Sequence, residues 1–183
     1  MILNKYTKIL LYGGNLWFLG EGMFGPLLAV FTEKIGGSIL DVSYAWATYL
    51  MVTGVLIIVC GAVSDKHCSK ERLMVGGYAL NTCFTFLYLF VETPFQMLLV
   101  QAGLGLANAL SVPTWNALYA RYENKDHGGY TWGLAAGEAL FIRGVAMLIG
   151  GFIVTRYSFT ALFLTMGIIQ TISTVYQAQI LRK

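Results

Sequence analysis

Six long apolar runs, separated only by short charged or glycine-rich breaks, dominate this sequence. They lie near 7–32, 40–63, 72–91, 95–120, 130–154 and 159–180. About 20 apolar residues suffice for a helix to cross a bilayer. In lipid a chain must satisfy its own backbone hydrogen bonds, so each run reads as a membrane-spanning α-helix. The breaks are Glu33 to Gly37, Ser64 to Arg72, Glu92-Thr93-Pro94, Arg121 to Gly129 and Thr155-Arg156-Tyr157. None is long enough to separate two domains, so residues 1–183 are read as a single six-helix transmembrane domain. Only 11% of the residues are charged and 57% are apolar or aromatic, where a soluble domain is about 25% charged. That balance excludes an ordinary soluble enzyme domain, a disordered segment and a nucleic-acid binder. The expectation is an all-α integral membrane protein whose main surrounding is lipid.

The basic residues choose an orientation. With the N-terminus in the cytoplasm, nine of them (Lys5, Lys8, Lys66, Lys70, Arg72, Arg121, Lys125, Arg182 and Lys183) lie inside, and two, Lys34 and Arg156, outside. Both termini are then cytoplasmic, and a plasma membrane, bacterial inner in type, is the expected location. A cleaved signal peptide is disfavoured, because the first run continues to about Phe31, carries Glu21 and has no small-x-small cleavage site. Cys60, Cys68 and Cys83 form no CxxC, and His67-Cys68 lacks further ligands, so neither a disulfide nor a metal is expected. Walker loop, paired catalytic carboxylates and Ser–His–Asp set are all missing from the sequence. The expectation is a non-enzyme without a cofactor.

The loop between the second and third spans reads Gly61-Ala62-Val63-Ser64-Asp65-Lys66-His67-Cys68-Ser69-Lys70-Glu71-Arg72. It resembles the signature loop of the major facilitator superfamily, G-x-x-x-D-(R/K)-x-G-(R/x)-(R/K). Gly61, Asp65, Lys66 and Lys70 match, while Cys68 and Ser69 depart from it. Gly103-Leu104-Gly105-Leu106-Ala107 is similar to the family's small-residue run in the fourth span, although Leu99 stands where an Arg often precedes it. The fifth span ends in Gly150-Gly151 but lacks the Gly-Pro pair of the antiporter-associated motif. The resemblance covers the chain as one half of a family member. It implies the N-terminal half-fold, which a parallel homodimer would complete to twelve helices. It also implies a cytoplasmic gate, with Asp65 set against the start of the partner's fifth span near Gly128, Gly129 and Gly133, where a helix N-terminus attracts a carboxylate. The alternative for Asp65 is a weak, solvated pairing with Lys66, Lys70 or Arg72.

Three ionisable residues fall within the spans: Glu21, Glu138 and Arg143. Each is expensive in hydrocarbon unless paired or hydrated. Glu21 and Arg143 both lie near mid-depth, on helices that the resemblance makes neighbours. They are expected to pair or to share a hydrated cavity, where Glu21 would exchange a proton and Arg143 would hold Glu21 or bind an anionic or hydroxyl-rich solute. A static ion pair is the competing reading. Glu138 lies about 7 Å closer to the cytoplasm, lining an inner vestibule or snorkelling. Asn15, Gln101 and Asn108 extend the polar set. Gln101, Asn108 and Trp115 recur every seven residues and share a face. Trp46 and Tyr49 are candidates to reach the same cavity, with interfacial anchoring as the rival role for Trp46 and Trp115. Gln170, mid-depth on the sixth span, has no assigned role.

The combined expectation is a secondary active transporter moving a small solute by alternating access as a homodimer, with proton coupling through Glu21 as a candidate. A non-transporting subunit pairing with a different six-helix chain is the alternative, and an inert fragment the third.

Overall fold

The computed structural model describes residues 3–66 and 69–182. Among these residues there are seven α-helices and no strand: α1 Lys5–Gly22, α2 Leu28–Lys34, α3 Ile39–Lys66, α4 Lys70–Leu87, α5 Pro94–Tyr122, α6 Gly128–Arg156 and α7 Phe159–Gln177. The starts of four are marked by polar caps: Asn4, Ser69, Thr93 and Ser158 each accept a backbone N–H from the first turn. Thr93 and Gln96 complete a reciprocal capping box, with Pro94 at the first helical position, where its missing N–H costs nothing.

α3, α4, α5, α6 and α7 are long and apolar enough to cross a membrane. Their bounds follow the expected second to sixth spans closely. The first expected span, 7–32, is instead two helices joined by a 3₁₀ turn at Gly25–Leu27. Pro26 lacks an N–H, so the regular ladder cannot run through it. Only local bonds cross the break, Phe24 N–H to Glu21 O at 3.4 Å and Leu27 N–H to Phe24 O at 2.8 Å. At the far end of α2 the chain turns through Gly36, whose φ of +78° needs a residue without Cβ.

Two groups of three helices make up the bundle. α5 lies between α3 and α4, the broken first span packs on α6 and α7, and α4 meets α7 between the groups. One end is stitched together by Asn4 Nδ2 and Thr7 Oγ1, which donate to Tyr122 O at 2.6 and 2.7 Å. Arg121 also pairs there with the buried Glu71 at 3.5 Å. At the opposite end Phe24, Phe31, Tyr88, Phe159 and Phe163 form an aromatic cluster that holds α2 to α7, with Tyr88 stacked on Phe163 at 4.9 Å.

α3 and α6 are the least covered helices. Only 6% of α3's apolar span and 17% of α6's is buried, against 39–44% for α4, α5 and α7. On α6, Gly129, Gly133, Gly137, Gly144 and Gly151 have open space where a side chain would stand. Gly150 is different: an added Cβ would lie 2.2 Å from the carbonyl oxygen of Met23, beside the break in the first span. Gly22 also meets α6 closely, an added Cβ lying 2.9 Å from Ala146 Cβ and 3.0 Å from Arg143 Cα. These small residues let α1 and α6 cross at backbone contact.

The adjacent glycines supply a controlled test. Gly150→Ala should lower the thermal unfolding temperature through about 1–3 kcal/mol of overpacking, whereas Gly151→Ala should leave it unchanged. Thermal unfolding of both variants in detergent checks this, and equal behaviour of the two would refute the close crossing.

Candidate functional site

Glu21 ends α1 one residue before the helix stops, and Arg143 sits near the middle of α6. The close crossing brings them together, with Arg143 Nη2 donating to Glu21 Oε2 at 3.2 Å. Neither side chain is sealed, Arg143 being 37% and Glu21 32% exposed in the chain alone. The guanidinium also lies over the ring of Phe18, 4.3 Å from its centroid, a cation–π contact that fixes its plane. With one nitrogen engaged, the remaining guanidinium donors can serve a ligand.

Arg143 lines two cavities. The larger, of about 310 Å³, lies on the side of the first-span break and is walled by Glu21, Phe24, Leu28, Trp46, Tyr49, Gln101 and residues of α4 and α7. The smaller, of about 190 Å³, is lined by Trp17, Phe18, Tyr78, Asn108, Ser111, Trp115 and Asn116. Asn108 donates from Nδ2 to the hydroxyl of Tyr49, joining α5 to α3 where the two cavities approach each other. An ion pair, an aromatic–cation contact and an amide–phenol bond therefore gather near the middle of the bundle.

The expected stripe Gln101–Asn108–Trp115 faces inward but divides between the cavities: Gln101 lines the larger, Asn108 and Trp115 the smaller. Trp115 donates from Nε1 to Leu10 O at 3.1 Å and stacks on Tyr119, so it braces α5 against α1. Trp46, 43% exposed, makes an edge contact with Tyr49 at the rim of the larger cavity. Asn15 donates to Glu138 at 2.6 Å, a second polar link between α1 and α6 that sequence spacing alone did not pair.

The signature loop falls only partly within the described residues. Gly61 lies near the end of α3 with open space beside it, and Lys70 and Arg72 fall in the first turn of α4 behind the Ser69 cap. Asp65 and Lys66 end α3, but their side chains, together with His67 and Cys68, lie outside the described residues. Sequence reasoning missed Asn81 and Thr85 of α4 and Tyr88, which caps its C-terminal end, and gave Gln170 of α7 no role, yet all four line the larger cavity. The i, i+4, i+7 spacing of Asn81, Thr85 and Tyr88 was the available signal.

Comparison with known proteins identifies the family of the chain. The family model described as Major Facilitator Superfamily matches residues 10–181. An uncharacterized MFS-type transporter of Methanocaldococcus jannaschii is 22% identical over 86% of this chain. The multidrug resistance protein MdtG of Enterobacter lignolyticus is 20% identical over 90% of it. The multidrug efflux protein YfmO of Bacillus subtilis is 28% identical over 53%. The chain spans 40% of the length of each of the first two relatives and 24% of the third. The match over nearly its whole length settles the family: this integral membrane chain belongs to the major facilitator superfamily.

Proposed function

We propose that the chain is a half-sized secondary transporter that moves a small solute by alternating access, working as a parallel homodimer. The observation that carries the reading is the Glu21–Arg143 pair, held between two cavities next to the face that α3 and α6 leave uncovered. Arg143 and Glu138 of α6 are both partly exposed in the single chain, and charged groups open to hydrocarbon are costly, so a protein partner suits that side better than lipid. The open glycines of α6 suit a close helix–helix contact. A second copy in the same orientation would cover the face and complete twelve spans, counting α1, the turn and α2 as the first crossing of each copy. The site would then enclose two Glu21–Arg143 pairs around a two-fold axis.

In this mechanism each pair separates the two cavities and changes its hydration as the halves rock. A wetted Glu21 exchanges a proton, and the Arg143 fork holds an anionic or hydroxyl-bearing part of the solute. On the family resemblance, Asp65 closes the cytoplasmic side by meeting the start of α6 in the other copy. The names of two relatives, one for multidrug resistance and one for multidrug efflux, favour an amphiphilic cargo and outward transport.

Vesicles containing the purified chain and an internal pH dye test the mechanism against a panel of amphiphilic and anionic solutes. Glu21→Gln and Arg143→Gln should each reduce solute-dependent proton flux to background while the protein stays folded, and Arg143→Lys should restore only part of it. Loss of assembly with no flux in the parent chain would instead make it a non-transporting subunit. Native mass spectrometry from nanodiscs should give a dominant dimer. Gly144→Leu, which fills open space on α6, should convert it to monomer without lowering the monomer's unfolding temperature. A parent chain that is monomeric at all concentrations would refute the homodimer.

A further inference from the structure

Arg143 lines both cavities, but Glu21 lines only the larger. Among the described residues, the guanidinium is therefore the one charged group on the wall of the smaller cavity, and its counter-ion stands on the other side. Half-buried Phe18, Val112 and Trp115 give the smaller cavity apolar sides, and the exposed Asn116 brings an amide to it. Glu21 takes one N–H of the guanidinium at 3.2 Å. A guanidinium carries five, so a paired edge is left for a second acceptor. The Phe18 ring, 4.3 Å away, holds the plane of that edge.

We infer that the smaller cavity binds a small aromatic monoanion on Arg143, and that each anion bound brings one proton from water onto Glu21. This deepens the transport reading above and rests on it. The ligand class follows from charge and size. A carboxylate matches the open edge of the fork with two parallel hydrogen bonds, which a cation cannot make and an amide, with one oxygen, makes only in part. The volume of about 190 Å³ falls below the ~300 Å³ at which drug-sized pockets begin, so the body is a single ring rather than a fused system. All the walls come from one chain, which sets the stoichiometry at one anion per chain.

The proton follows from the charge count. Glu21 and Arg143 are the only charged residues lining either cavity among the described ones, and they sum to zero. An arriving anion leaves one negative charge inside the bundle, where uncompensated charge is costly. A proton on Glu21 restores neutrality and leaves the anion as the counter-ion of Arg143. No other group around Glu21 can take that proton. Its titratable neighbours besides Arg143 are Tyr49 of α3, Tyr78 of α4 and Tyr88 at the end of α4, all neutral phenols. The polar residues that α5 and α7 bring to its wall are the amides Gln101 and Gln170. Glu138 of α6 is held by Asn15 and lines neither cavity.

Isothermal titration of benzoate and benzamide into the full chain in nanodiscs, with empty discs as the blank, tests this. Benzoate should bind at one per chain and at least about tenfold more tightly than benzamide. Titrations in buffers of different ionisation enthalpy should show uptake of about one proton per benzoate. Affinity should then rise about tenfold for each pH unit lowered between about pH 8 and 6. Glu21→Gln should bind benzoate with no proton uptake and no pH dependence, whereas Arg143→Gln should abolish binding. Asn116→Leu, on the smaller cavity alone, should weaken binding about three- to tenfold. Trp46→Leu, at the rim of the larger, should leave it unchanged. If Glu21→Gln fails to fold, the proton count of the parent chain decides. Equal affinity for the two probes, no binding above empty discs, binding without proton uptake in the parent, or uptake that survives in Glu21→Gln would each overturn the inference. So would a loss of binding in Trp46→Leu in place of Asn116→Leu. Glu21-dependent flux of other solutes with no proton-linked benzoate binding would sink this inference alone. Proton-linked benzoate binding with no flux of any solute would sink the transport reading alone.

Discussion

A carboxylate and a guanidinium inside a bilayer must find each other, and that requirement organises the bundle. Glu21 and Arg143 meet at 3.2 Å only because α1 and α6 cross at backbone contact, and the crossing exists only because Gly22, Ala146 and Gly150 put almost nothing between the two helices. The break at Gly25-Pro26 follows directly after the pair, so the α6 backbone lies against a stretch of the first span whose own ladder is interrupted. Gly150 approaches the carbonyl of Met23 there, where regular helix bonding has lapsed. Charge pairing, close approach and the helix break form one device.

Much of this was legible in the residues. Apolar run lengths placed α3 to α7 within a few residues, because in lipid length and polarity are the whole specification. The first span was the exception. Its apolar pattern runs unbroken through Gly25-Pro26, and hydropathy does not register a missing N–H. Matching depth anticipated the meeting of Glu21 with Arg143, since two ionisable groups at one level on neighbouring helices have few other partners. It did not anticipate that Asn15 would hold Glu138, because that bond depends on the rotation of α1 against α6.

The neutral half of the site was harder to read. Asn81, Thr85 and Tyr88 carry no charge and tolerate many environments, so their spacing along α4 and its C-cap is as compatible with helix packing as with a cavity wall. Gln170 sat mid-depth on the sixth span with no assigned role, and only its burial against Gly20 reveals which way it points. The seven-residue stripe on α5 faces inward, yet its residues line two cavities, with Arg143 lining both.

The pair at the centre also has an electrical meaning. As built, Glu21 and Arg143 sum to zero, and a neutral group carried through the membrane field does no net work. Once Glu21 takes up a proton, the charge of Arg143 stands uncancelled. Any motion that carried it across the full field would then exchange about 2.3 kcal/mol per 100 mV with the membrane potential. On the transport proposal, proton occupancy at this one carboxyl would decide whether the rocking site is blind to voltage or driven by it.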